Sequence, residues 1–143
     1  MAATISGSVK GNMAELLRIA RSRLPLPFGG LTARRSLLSL DNLVSAVDRA
    51  LSAPAPLRRP LVVADPEPVT LPEMIAAIRR GLGRRPGLLP VPSAMLAAAC
   101  RVAGREEAYR RLAGSLVADS TALRQLGWTP SVATPEGLAR LMR

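Results

Sequence analysis

The sequence predicts an α+β fold that is mostly helical, with a few short strands. Three observations lead there. The 48% of residues that are hydrophobic are almost entirely aliphatic, since Phe28, Tyr109 and Trp128 are the only aromatics, and a Leu/Ala/Val/Ile core of this kind suits helices. Apolar residues recur at helical spacing in about six segments. The apolar runs short enough to be strands are few and do not alternate regularly with helices, as a doubly wound parallel sheet would require. At 143 residues the chain has material for one domain with a core of its own.

The elements follow in order. Met1 to Ser8 shows no periodicity and reads as an irregular tail, so the organised part is 9–143. Asn12 is placed to cap a helix whose inner face is Met13, Leu16, Leu17 and Ala20. Pro25 and Pro27 end it and hold an extended stretch up to a turn at Gly29-Gly30. Leu37 to Leu40 reads as a short strand. A second amphipathic helix from about Asp41 would turn Leu43, Val44, Val47 and Leu51 inward. Leu61 to Ala64 has the character of a buried strand.

Thr70 with Glu73 three positions on forms a capping-box pattern, and Leu71, Met74, Ile75, Ile78 and Leu82 follow at helical spacing. Gly81 and Gly83 are expected to stop this helix. Leu88 to Val91 reads as an edge strand, and Ser93 begins a helix of small residues reaching about Ala103. A further helix covers about Arg105 to Leu112. Asp119 or Ser120 caps a short helix that closes at Leu126-Gly127, and Thr134-Pro135 opens a last one through Leu138 and Leu141.

Composition narrows the function. Net charge is +10, and all but one of the 20 basic residues are arginine, the exception being Lys10. This skew, with 13 prolines, has the look of a high-GC codon bias. A basic surface of this size attracts anions in general, nucleic acid among them, but no stacking surface or nucleic-acid motif accompanies it. The absence of histidine removes the commonest acid-base group and metal ligand. The single cysteine, Cys100, excludes an internal disulfide and a cysteine metal cluster, points to a reducing, cytoplasmic setting, and lies on an apolar helix face as a small core residue. The longest apolar run, Val91 to Ala99, is far too short to span a bilayer.

No catalytic or metal-binding constellation survives inspection. Glu106 and Glu107 are neighbours on a helix and point apart, as a solvated face would. Gly81, Gly83 and Gly87 follow a helix, whereas a dinucleotide loop must follow a strand and open a helix. Tyr109 has Ala113 four residues on where a short-chain dehydrogenase needs lysine.

Several blocks taken together resemble a known family. They are Val9-Lys10-Gly11-Asn12 leading into a helix, Leu24 to Gly29 ending in Phe-Gly, Arg35 to Asn42, Gly114 to Ser120, and Leu126-Gly127-Trp128-Thr129-Pro130. In that order they resemble the carboxyl-terminal part of the NAD-dependent epimerase/dehydratase family, the extended short-chain dehydrogenases that act on nucleotide sugars. The resemblance implies a substrate-binding lobe over 9–143 that lacks the Rossmann domain with its NAD, glycine loop and Tyr-x-x-x-Lys. The chain would then be catalytically incomplete alone, and NAD would belong to the intact enzyme. In character the resemblance leans toward bacterial polysaccharide-pathway members, which implies a UDP-hexose or UDP-N-acetylhexosamine ligand; epimerase, dehydratase and reductase all remain open.

Carried over by motif, Asn12 matches an asparagine beside the sugar and diphosphate, and Leu26 and Phe28 match positions flanking the uracil. Arg35 matches a diphosphate arginine, and Arg111 matches a second one at a spacing that departs by one residue. Two guanidinium groups suit a diphosphate because they offer forked, charge-assisted donors. Each residue also has a plain structural reading: Asn12 as a helix cap, Leu26 and Phe28 as core, Arg35 and Arg111 as surface charges. Ser36 departs from the aspartate of many relatives. An apolar face left bare by a missing Rossmann lobe would be met by that lobe or by self-association. The alternative function is a small basic helical module that binds nucleic acid or a partner protein, with arginines spread over a convex face.

Overall fold

The computed structural model describes residues 12–54 and 56–142. Its elements are α1 (Asn12–Arg21), β1 (Arg34–Arg35), α2 (Leu40–Leu51), β2 (Val69–Thr70), α3 (Leu71–Gly81), α4 (Ser93–Val102), α5 (Glu106–Ala113), α6 (Thr121–Gln125) and α7 (Thr134–Arg140). Among the described residues the sheet has two strands, β1 and β2, antiparallel with Arg34 opposite Thr70 and Arg35 opposite Val69. The fold is α+β and mostly helical, as the sequence predicts. The tail at 1–8 and the Val9-Lys10-Gly11 block lie outside the described residues.

The main core is the meeting of α1, α3 and α7. Leu16, Leu17 and Ala20 pack on Met74, Ile75, Ala77 and Ile78, with Val69 and Leu138 closing the cluster. Ile75 and Ile78 are fully buried, each contributing roughly 1.5–3 kcal/mol from burial. The capping box that opens α3 is complete: the Thr70 hydroxyl accepts from the Glu73 amide and the Glu73 carboxylate accepts from the Thr70 amide at 2.7 Å.

Gly81 differs from its expected role as a stop. It lies within α3, and a Cβ there would come 2.3 Å from the Ala139 carbonyl oxygen, so its bare backbone is what lets α3 and α7 cross closely. Gly83, with φ of +69°, ends the helix, and the Arg84 amide closes the turn onto the Arg79 carbonyl.

A second, smaller cluster joins Ala46, Leu123 and Trp128, with Leu61, Val63 and Leu126 packed around it. The Trp128 indole N–H donates to the Ser45 hydroxyl at 3.0 Å, which donates to the Asn42 carbonyl.

The face of α2 is the clearest correction to the sequence reading. Leu43, Val44, Val47 and Leu51 point outward; Val44 is 60% and Leu51 82% exposed. The inward face is Asn42 and Ala46. Asn42, with no exposed surface, donates through Nδ2 to Asp65 (2.7 Å) and to the Val132 carbonyl (2.9 Å). Its Oδ1 accepts from the Ser131 and Val132 amides. Asp65 in turn accepts from the Ser39 amide and hydroxyl. A fully satisfied polar network therefore anchors α2, and its apolar stripe is left outside.

Three expected strands are absent as ladders. Leu37 to Leu40 is extended only to Ser39, with backbone bonds from Ser36 to Leu116 and from Asp65 to Leu37, and α2 begins at Leu40. Leu61 to Ala64 forms no ladder and is only partly buried, with Leu61 and Val63 packed on the smaller cluster, Ala64 buried and Val62 48% exposed, and Leu88 to Val91 forms one isolated bridge, Leu26 to Leu88. The first helix ends at Arg21, ahead of both prolines. Cys100 is half-buried on α4, a helix that buries none of its residues, so it is not a core residue.

Candidate functional site

Strand β1 sets the geometry. Because side chains alternate across a strand, its two arginines leave on opposite faces. Arg34 bonds the Pro68 carbonyl at 3.0 Å and borders an open groove of about 440 Å³ that Glu67, Glu73, Arg80 and Pro135 also line. None of the sequence-derived candidates lines that groove.

Arg35 lies between two partners. On one edge β1 pairs with β2; on the other Arg35 makes a parallel bridge with Leu116, through the bonds Leu116 N–H to Arg34 O and Ser36 N–H to Leu116 O. Ser36 accepts the Ala118 amide at 3.0 Å and helps hold that segment. The half-buried Arg35 side chain donates from Nε to the Gly114 carbonyl at 3.2 Å. Among the described residues its two terminal nitrogens make no hydrogen bond, which leaves a forked pair of donors for a ligand.

Gly114 is the C-cap of α5, three residues past Arg111. The fold thus brings Arg35 against the end of the helix that carries Arg111. The Arg111 guanidinium itself is exposed and bonded to Glu107 at 2.7 Å, just as Arg110 is bonded to Glu106. Glu106 and Glu107 are therefore the solvated face the sequence implies.

Leu26 and Phe28 stand on the other extended segment. Leu26 pairs with Leu88: its amide donates to the Gly87 carbonyl and its carbonyl accepts from the Leu89 amide at 2.8 Å. The Gly29 amide then bonds the Leu89 carbonyl. A Cβ on Gly30 would come 2.1 Å from the Val91 carbonyl oxygen, so the Phe-Gly-Gly turn is shaped by this close approach. Leu26 and Phe28 are both half-buried and packed on the main core, so part of each side chain is structural and part is open. Asn12 is the first residue of α1, and its side chain lies outside those described.

Two features escaped the sequence reading. One is the Asn42–Asp65 network. The other is Arg79, a buried arginine whose donors all go to backbone carbonyls. Neither has a local signal, since an arginine in an arginine-rich chain is inconspicuous. Among the described residues no cluster of three metal-ligating side chains exists, and no helix is long and apolar enough to cross a membrane.

No family model matches the chain, and no solved structure matches it significantly. It is 32% identical over 131 residues to the UDP-glucose 4-epimerase of Vibrio cholerae, an alignment covering 90% of this chain and 40% of the relative's length. The blocks from Arg35 to Asn42 and from Gly114 to Ser120 meet at one strand, and the alignment, which spans less than half of the relative's length, supports an epimerase-family reading of the chain.

Proposed function

We propose that residues 9–143 are a nucleotide-sugar-binding lobe, for a UDP-hexose or UDP-N-acetylhexosamine, corresponding to the carboxyl-terminal part of an NAD-dependent epimerase/dehydratase. The observation that carries this reading is Arg35: half-buried, pinned through Nε to Gly114, with neither terminal nitrogen hydrogen-bonded among the described residues. On this reading Arg35 takes the diphosphate and Arg111 exchanges Glu107 for it. Leu26 and Phe28 flank the base, and Asn12 borders the sugar. The chemistry and the NAD belong to a dinucleotide-binding lobe, and no turnover is expected of this chain alone.

The bare apolar stripe of α2 supports a partner. It is covered by that lobe or by a second copy of the chain, in a cytoplasmic setting. The basic-module alternative has less support, because surface arginines such as Arg18, Arg110, Arg111 and Arg140 are engaged by glutamates rather than free.

Calorimetric titration with UDP, a UDP-sugar, inorganic pyrophosphate and a single-stranded oligonucleotide tests the reading. UDP-sugar should bind saturably, and Arg35→Ala should weaken it about 10- to 100-fold, the equivalent of one charge-assisted contact. Oligonucleotide binding that exceeds UDP-sugar binding and is indifferent to Arg35 would select the basic module instead.

A further inference from the structure

We infer that Arg79 is a positioning residue for the base-proximal wall formed by Leu26 and Phe28. The inference rests on the nucleotide-sugar reading above and adds to it a side chain that touches no ligand. Arg79 is 3% exposed. Nε donates to Ala20 O, Nη2 to Ser22 O and Leu24 O, and Nη1 to Pro86 O and Gly87 O. All five N–H groups of the guanidinium are thereby used, and every acceptor is a backbone carbonyl. Its charge is met by carbonyl dipoles, including the negative end of α1, rather than by a carboxylate.

The acceptors belong to two segments, the last turn of α1 with the loop that follows it and the loop after α3. Three lie in 20–24, just before Leu26, and two in 86–87, just before Leu88. The Gly87 carbonyl is shared: it accepts from Arg79 Nη1 at 3.2 Å and from the Leu26 amide at 3.0 Å. The oxygen that sets the register of Leu26 against Leu88 is thus one that Arg79 holds. From there the bonds Leu89 N–H to Leu26 O and Gly29 N–H to Leu89 O carry the register on to Phe28 and its turn. The α3 face here already meets the aliphatic core through Ile75 and Ile78, so helix packing alone asks for an apolar residue at 79. A fork of five donors is what these two segments need to be held at one spacing. Lysine, with three donors on one atom, cannot span both.

The test uses the full chain with Arg79→Lys and Arg79→Met, and reads the ratio of UDP affinity to inorganic pyrophosphate affinity. Pyrophosphate reports the arginine side of the site, and UDP adds the base wall. A positioning role predicts a UDP affinity lowered about 10-fold with pyrophosphate changed less than about twofold. It also predicts faster amide hydrogen exchange in Arg79→Lys, concentrated at Leu26, Gly29 and Leu89. A merely structural arginine would weaken both ligands alike and speed exchange throughout, and that outcome overturns the inference, as does an unchanged ratio with unchanged exchange. If Arg79→Met does not fold, the Arg79→Lys ratio and exchange pattern decide alone. If the unaltered chain binds no UDP, the nucleotide reading falls and this inference with it; if it binds UDP and the variants keep the ratio, this inference falls alone.

Discussion

Asn42 on α2 and Asp65, in the segment leading to α3, share a buried hydrogen bond of 2.7 Å that ties α2 to the segment ahead of β2. Through the same amide group Asn42 reaches Ser131 and Val132, some ninety residues away in sequence. Asn42→Ala leaves Asp65 short of one donor and two backbone amides without an acceptor. The cost should be about 2–4 kcal/mol, seen as a lower urea midpoint with the slope unchanged. Asn42→Asp should be costlier at neutral pH, because it sets a second carboxylate against Asp65. Equal stability of Asn42→Ala and the unaltered chain would show that the network is dispensable.

Gly81→Ala separates two opposing effects. Helix propensity alone favours alanine by about 1 kcal/mol. Against this, the new Cβ would lie 2.3 Å from the Ala139 carbonyl oxygen and 3.0 Å from its Cα, both backbone atoms that can yield only by moving α7. The steric term should win, with a net destabilisation of about 2–3 kcal/mol. A stabilised variant in thermal unfolding would mean that α3 and α7 do not cross this closely.

These two sites mark the limit of what the sequence discloses. The capping box and period of α3, and the Pro start of α7, are local signals that survive unchanged in the structure. The sidedness of α2 is not local. A stripe of Leu43, Val44, Val47 and Leu51 declares amphipathicity but not which side meets the core, and an asparagine with five polar partners outweighs it. The expected strands fail for a related reason: Leu37 and Asp65 do pair, but through one backbone bond supplemented by side chains. Of the candidate site, the neighbourhood of Arg35 and the α5 end was legible through the family resemblance. Arg79 was not, since its role depends on where two distant segments end.

The α3 cap should make stability fall in acid. The Glu73 carboxyl is held below its ordinary range, chiefly by the Thr70 amide that donates to it, with smaller help from the Thr70 hydroxyl and the Arg34 charge. A lowered pKa in the folded state means that this contribution is complete above the ordinary glutamate range and is lost as pH falls through the lowered value. Glu73→Gln should therefore be less stable at neutral pH, and the gap should close progressively in acid. Thr70→Ala, which removes the other half of the box, should cost about 1 kcal/mol at neutral pH. A gap between Glu73→Gln and the unaltered chain that is constant across the acid range would mean that the carboxylate adds nothing to the cap.

The outward stripe of α2 yields the sharpest contrast between periodicity and structure. If the stripe is exterior, Val44→Lys should change stability by no more than about 0.5 kcal/mol, the usual range for surface positions. If the stripe faced the core, as spacing alone suggests, the same change would bury a charge and unfold the domain. The reciprocal substitution is Ala46→Leu, at a site 2% exposed and packed against Leu123 and Trp128. It adds apolar bulk and should still cost about 1–3 kcal/mol by overpacking. An exposed apolar stripe also promotes association, so the unaltered chain should sediment as a mixture or as a larger species. The double variant Val44→Lys, Val47→Lys should shift it toward the monomer while keeping its helical circular dichroism. A stable double variant that associates as strongly as before would move the sticky surface away from α2, and a destabilised Val44→Lys with a tolerated Ala46→Leu would turn the helix over.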